Sequence, residues 1–163
     1  LTLLVAGVYR LLYKGKNALV EVHPVNQCGA SSHEISDLDI YVDGVLVSSN
    51  ELKDKDYTEP DVRHAADKVL QSGGNKMLFI EGPRSTADGD FKATIGHEYC
   101  DRNFMLYIIS YRDFFTLLGA MEEIDCHEFV EFILTTAHET KFKEEVIEYL
   151  DTLAQKILGL TRG

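Results

Sequence analysis

Residues 1–13 place Leu1, Leu4, Val5, Val8, Leu11 and Leu12 at the spacing of one helical face, and Lys14-Gly15-Lys16-Asn17 ends that element. Ala18–Val22 reads as a short strand, and residues 23–36 show no period and read as a loop. Residues 37–42 then alternate, with Leu38, Ile40 and Val42 on one face and Asp37, Asp39 and Tyr41 on the other. Asp43-Gly44 is a two-residue hairpin signal, because a type I′ turn needs positive φ at both positions, so Val45–Lys53 returns as the antiparallel partner. Thr58, Pro60 and Asp61 open a helix as N-cap, first-turn proline and capping-box acid. Val62, Ala65, Ala66, Val69 and Leu70 form its buried face, and Gly73-Gly74 stops it. Residues 77–80 read as a buried strand, 81–92 as a polar loop, 104–110 as another buried strand, and about 112–120, 126–138 and 142–158 as helices. This order predicts an α/β (α+β) fold with a mixed sheet. Residues 1–110 would form the core, and residues 111–163 C-terminal helices packed on it as one domain.

Composition narrows the function classes. With 163 residues, 45% hydrophobic and 26% charged, the chain is globular and needs neither disulfides nor metal to fold. Its longest apolar run, residues 1–8, is too short to span a bilayer and lacks the basic flank of a secretory signal. No membrane role is expected, and a chain opening on Leu1 reads as part of a longer protein. Three cysteines at unrelated spacings (Cys28, Cys100, Cys126) fit free thiols in a reducing cytoplasm, so a cytoplasmic location is expected. The net charge of −11 includes no basic block of the kind that coats a nucleic-acid-binding face.

The chemistry concentrates in residues 37–53, DLDIYVDGVLVSSNELK. Glu51 and Lys53 are two apart on one strand, and Asp37 and Asp39 two apart on the other, so each pair shares a sheet face. Asp37 lies six residues before Asp43 and Glu51 seven after Gly44, so the two ends converge, give or take a bulge. Two carboxylates beside one ammonium make a hard-cation site, and Mg²⁺ prefers carboxylate oxygens with retained water. Such an ion lowers the pKa of bound water and clamps a phosphoryl oxygen. The blander reading is a solvated hairpin face, since a bare Glu-x-Lys arises by chance roughly once per few hundred residues.

Weaker signals point elsewhere. His97 and Cys100 with Cys126 and His127 make a poor zinc set, because the last two are adjacent on a helix and diverge by about 100°. The segment 72–76 (SGGNK) follows a helix and precedes a strand, the reverse of a phosphate loop, and reads as a helix stop. His64 reads as a helix-surface histidine one turn behind Asp61, and the Tyr and Phe residues over 104–115 as core filling.

The stretch HPVNQCGASSHEISDLDIYVDGVLVSSNELKDKDYTEPDVRHAADKV resembles type II restriction endonucleases of the SacI type, within the PD-(D/E)xK nuclease superfamily. A His-Pro-x-Asn stretch precedes the acid-bearing strand, and an E-x-K-D element leads into a Thr-x-x-Asp-Val-x-His helix. The likeness covers about residues 20–80. It implies a restriction-endonuclease-like sheet flanked by helices and a type II site-specific deoxyribonuclease. Asp37 and Glu51 would be Mg²⁺ ligands, with Asp39 the alternative to Asp37. The Leu52 backbone carbonyl would be a further ligand, and Lys53 would attend the attacking water. It further implies double-stranded DNA as substrate, a cognate methyltransferase in the same system, and a homodimer, since cutting both strands takes two sites. Lys53, Lys55, Arg63, Lys68 and Arg84 are the candidates for a local positive field toward DNA. The alternative is a nuclease-like fold that no longer cleaves and serves as a binding or assembly module, which the acidic surface favours. A third reading, which the acidic surface favours equally, is an unrelated soluble α/β interaction domain whose hairpin charges are purely surface.

Overall fold

A computed structural model describes residues 1–23, 35–87, 90–121 and 124–159. The element order is α1 (Thr2–Leu12), β1 (Ala18–Val22), β2 (Leu38–Val42), β3 (Val45–Lys53), α2 (Glu59–Gln71), β4 (Lys76–Glu81), α3 (Lys92–Asp101), β5 (Met105–Ser110), α4 (Tyr111–Met121), α5 (Cys126–Glu139) and α6 (Glu144–Ile157). The strands form one mixed sheet in sequence order, with β1, β2 and β3 antiparallel and β3, β4 and β5 parallel. The parallel half follows from α2 and α3, which carry the chain back across the sheet.

Local chemistry sets the boundaries. Asp43 and Gly44 adopt φ of 51° and 78°, so the β2–β3 hairpin closes as the Asp-Gly pair predicts. Thr58 donates its backbone N–H to Asp61 Oδ2 at 2.8 Å, and Gly73 leaves α2 at φ 83°. One face of α2 (Val62, Ala66, Val69) packs with Met77 and Phe79 of β4 and with Ile95 and Tyr99 of α3. Burying each such side chain contributes roughly 1.5–3 kcal/mol. The opposite face of the sheet is covered by Val5, Val8 and Tyr9 of α1 and Phe114 and Leu118 of α4, packed on Leu38, Ile40 and Ile80. At Gly7 a Cβ would come within 3.0 Å of Phe129 and Ile133, so glycine lets α5 lie against α1. Ile147 and Leu150 of α6 then pack on Ile133 and Ala137 of α5. No helix among the described residues is long and apolar enough to cross a membrane.

Two elements differ from the sequence reading. Helix α3 arises between the expected polar loop and β5, where periodicity gives little sign of it. Its interior holds Gly96, its cap Phe91 makes no side-chain hydrogen bond, and only Ile95 and Tyr99 are buried, one turn apart. Strand β5 is an edge strand, not a buried one, and Met105 and Tyr107 are exposed. Much of the loop expected over 23–36 and the thiol of Cys28 lie outside the described residues, whereas Cys100 and Cys126 are exposed free thiols.

Candidate active site

Strand register brings the acids together. The β2–β3 ladder pairs Val42 with Val45 and Tyr41 with Leu46, then slips so that Ile40 pairs with Ser48, Asp39 with Ser49 and Leu38 with Asn50. Without that slip, a two-residue turn would set Asp37 opposite Asn50, on the wrong face for Glu51. The extra residue, Val47, makes a β-bulge, and the continued register sets Asp37 opposite Glu51. Asp37, Asp39, Ser49, Glu51 and Lys53 therefore share one face. It is the α2/α3 face, because Glu51 pairs in parallel with Phe79 and Lys53 with Glu81.

Main-chain directions complete the arrangement. The carbonyl of Lys53 turns toward β4, where it accepts the Gly82 N–H at 2.7 Å and the Ser85 hydroxyl. Neighbouring residues of a strand point their amide and carbonyl to opposite sides, so those of Leu52 turn toward β2. The Leu52 N–H accordingly donates to Asp37 Oδ2 at 2.9 Å, and its carbonyl opens on the same side.

Asp37 and Glu51 are both partly buried. Burial pushes the Asp37 carboxyl above its ordinary value, against the Leu52 N–H and the charges of Lys53, His23 and Lys68. Burial, then the Asp37 charge, pushes Glu51 up to about 7, while Lys53 and Lys68 pull it back. Asp39 behaves otherwise. It is fully buried, and burial acts to raise it too. Hydrogen bonds outweigh that: His23 Nε2 lies 3.2 Å from Oδ2, and Oδ1 accepts the hydroxyls of Ser49 at 2.7 Å and Ser36 at 2.8 Å. Asp39 is held below the usual carboxylate range.

Among the described residues no group of three or more His, Cys, Asp and Glu side chains gathers to hold a metal ion, the weak zinc set included. A Mg²⁺ ion does not require one, because it keeps several waters and needs only one or two carboxylates. The Asp37–Glu51 pair beside the Leu52 carbonyl has the oxygen donors that such an ion would use.

The cations separate clearly. Lys53 lies on the acids' face with its Nζ 4.0 Å from Asp61 Oδ1. Arg63 is taken by Glu59 and Glu98 at 2.6 and 2.7 Å, and Arg84 by Asp54 at 2.7 Å. Lys55 and His64 are exposed. Sequence reasoning did not single out His23, the Asp39 partner, or Glu81, which holds the Tyr57 hydroxyl and Lys92 Nζ at 2.8 and 2.7 Å beside Lys53. Glu81 stands next to Lys53 only through a parallel pairing that no local pattern announces.

The SacI restriction endonuclease C-terminal domain family matches the chain over residues 1–83. That is half of the chain and contains Asp37, Glu51 and Lys53, so the chain belongs to this family. Membership gives it a restriction-enzyme-like role. No curated protein matches the chain.

Proposed function

We propose that this domain is a Mg²⁺-dependent endonuclease of the type II restriction kind, hydrolysing phosphodiester bonds of double-stranded DNA. The observation that carries the reading is the partly buried carboxylate pair, Asp37 and Glu51, which the β-bulge sets opposite each other on the sheet face that also carries Lys53. Asp37, Glu51 and the Leu52 carbonyl would hold Mg²⁺, which supplies Lewis-acid activation of water and charge neutralisation at the phosphate. Lys53 orients the attacking water and stabilises negative charge as it develops on the phosphoryl oxygens. Asp39 keeps His23 and the two serines in place and so fixes the strand that presents Asp37. Family membership supports a DNA substrate. A homodimer, a partner methyltransferase and a place in the cytoplasm belong to the same proposal.

The net charge of −11 favours a second reading, a non-cleaving module with the same fold. Nicking of duplex DNA by the full-length protein separates the two, with Mg²⁺ and then EDTA, for wild type, Lys53→Ala and Glu51→Ala. Mg²⁺-dependent nicking lost in both variants supports the enzyme. Absence of nicking by wild type on any duplex supports the module.

A further inference from the structure

We infer that Lys68 is a positioning residue that grips a DNA phosphate flanking the scissile one, so that one strand of the substrate runs along α2. The inference rests on the nuclease reading above. Helix α2 leaves the sheet beside Lys53 and returns antiparallel to β3. Asp61, His64 and Lys68 are three and then four residues apart, so they form one stripe along the helix. The near end of that stripe touches the site, where Asp61 Oδ1 is 4.0 Å from Lys53 Nζ. Lys68 stands about 10 Å further along the helix axis at its usual rise per residue. It is exposed, and it makes no ion pair among the described residues, unlike Arg63 and Arg84, whose charges are neutralised within the chain. Its field nonetheless reaches both Asp37 and Glu51, as does that of Lys53. Two cations, one on β3 and one on α2, thus act on one carboxylate pair. Phosphates of a duplex strand recur every ~3.4 Å of helix axis, so two cations separated in this way meet different phosphates of one strand.

The test is binding of a short random-sequence duplex by the full-length protein in EDTA, followed across a salt titration. Phosphate contacts do not depend on sequence, so no cognate site is needed. Lys68→Ala should weaken binding roughly five- to tenfold at low salt and reduce the slope of log K against log salt by about 0.9. Lys68→Arg should restore both. In cleavage assays with Mg²⁺, Lys68→Ala should raise KM and leave kcat near wild type. An unchanged salt slope in Lys68→Ala, with wild type binding normally, overturns the inference and leaves the nuclease reading standing. Failure of wild type to bind any duplex overturns both. A drop in kcat alone would make Lys68 part of the catalytic step and also overturn the positioning role. Thermal melting of each variant separates these results from misfolding, which an exposed helix position and a good helix former such as alanine make a small effect.

Discussion

Asp39 and the Asp37–Glu51 pair stand on the same sheet face within one hairpin, yet their surroundings differ in kind. Asp39 is enclosed by His23, Ser36 and Ser49, and those partners hold its carboxyl below the usual range. Asp37 and Glu51 are partly buried, but one backbone N–H and the charges of nearby cations do not compensate them, and both rise. Identical chemical groups are thus matched by hydrogen-bond partners in one place and left largely uncompensated in the other. On the proposed reading, the satisfied acid holds the hairpin together and the uncompensated pair takes the metal ion.

The largest expected effect lies at the strained pair. Lys53→Ala should lower Mg²⁺-dependent cleavage by about a hundred- to a thousand-fold, or roughly 3–4 kcal/mol of barrier, with the fold intact. Single-turnover nicking by the full-length protein measures it, and cleavage equal to wild type would remove Lys53 from the mechanism. The satisfied acid should behave in the opposite way. Asp39→Ala removes the carboxylate that His23, Ser36 and Ser49 share, although the Ser36 hydroxyl keeps the Leu38 carbonyl, so stability should fall by roughly 3 kcal/mol in chemical denaturation. Because its folded pKa is depressed, the stability Asp39 confers is present above the ordinary carboxylate range and lost as the pH falls through its folded value.

Glu51 carries the reverse sign. Its folded pKa is raised to about 7, so in the unfolded chain it ionises first as the pH climbs. Its contribution is therefore intact below the ordinary glutamate range and is lost as the pH rises toward 7. Without Mg²⁺, Glu51→Gln should stabilise the protein above that pH by on the order of 2 kcal/mol and leave it unchanged in acid. Added Mg²⁺ should raise the melting temperature of wild type and not of Glu51→Gln. Equal pH profiles for the two proteins, or equal Mg²⁺ shifts, would erase the contrast between the regions.

Much of this was legible in the sequence because it was local. The Asp-Gly turn, the capping of α2 and its buried face are each written in a few adjacent residues. Counting six residues on one side of the turn and seven on the other gave the odd residue that appears as the bulge at Val47. What the chain could not show came from distant pairing. His23 reaches Asp39 from just past the end of β1, and Glu81 is paired with Lys53 across a parallel crossover. Helix α3 escaped for a different reason: its two buried side chains lie in an otherwise polar run around a glycine, so tertiary contact supplies what periodicity does not.

Asn50 offers the finest test of the comparison, because it lies between the two regions and is uncharged. It is fully buried at a position where apolar residues are usual, on the side of β3 opposite Glu51. Its backbone N–H donates to Ser36 Oγ at 3.1 Å, its Nδ2 donates to the Leu38 carbonyl at 3.3 Å, and its Oδ1 accepts the Tyr9 hydroxyl at 2.8 Å. The last bond crosses from α1, 41 residues away in sequence. Asn50 therefore resembles Asp39, a buried polar group met by partners, with no charge to make it sensitive to pH or Mg²⁺. Tyr9→Phe keeps the ring packed against Phe114 and removes only the donor, which leaves Asn50 Oδ1 without that partner. The expected cost is about 1 kcal/mol, the same at every pH below the phenol's own range, with kcat for duplex cleavage and the Mg²⁺-induced rise in melting temperature unchanged. A Tyr9→Phe variant that lost the Mg²⁺ response would show that the neutral network and the carboxylate pair act as one unit, and the division between satisfied and strained regions would have to be redrawn.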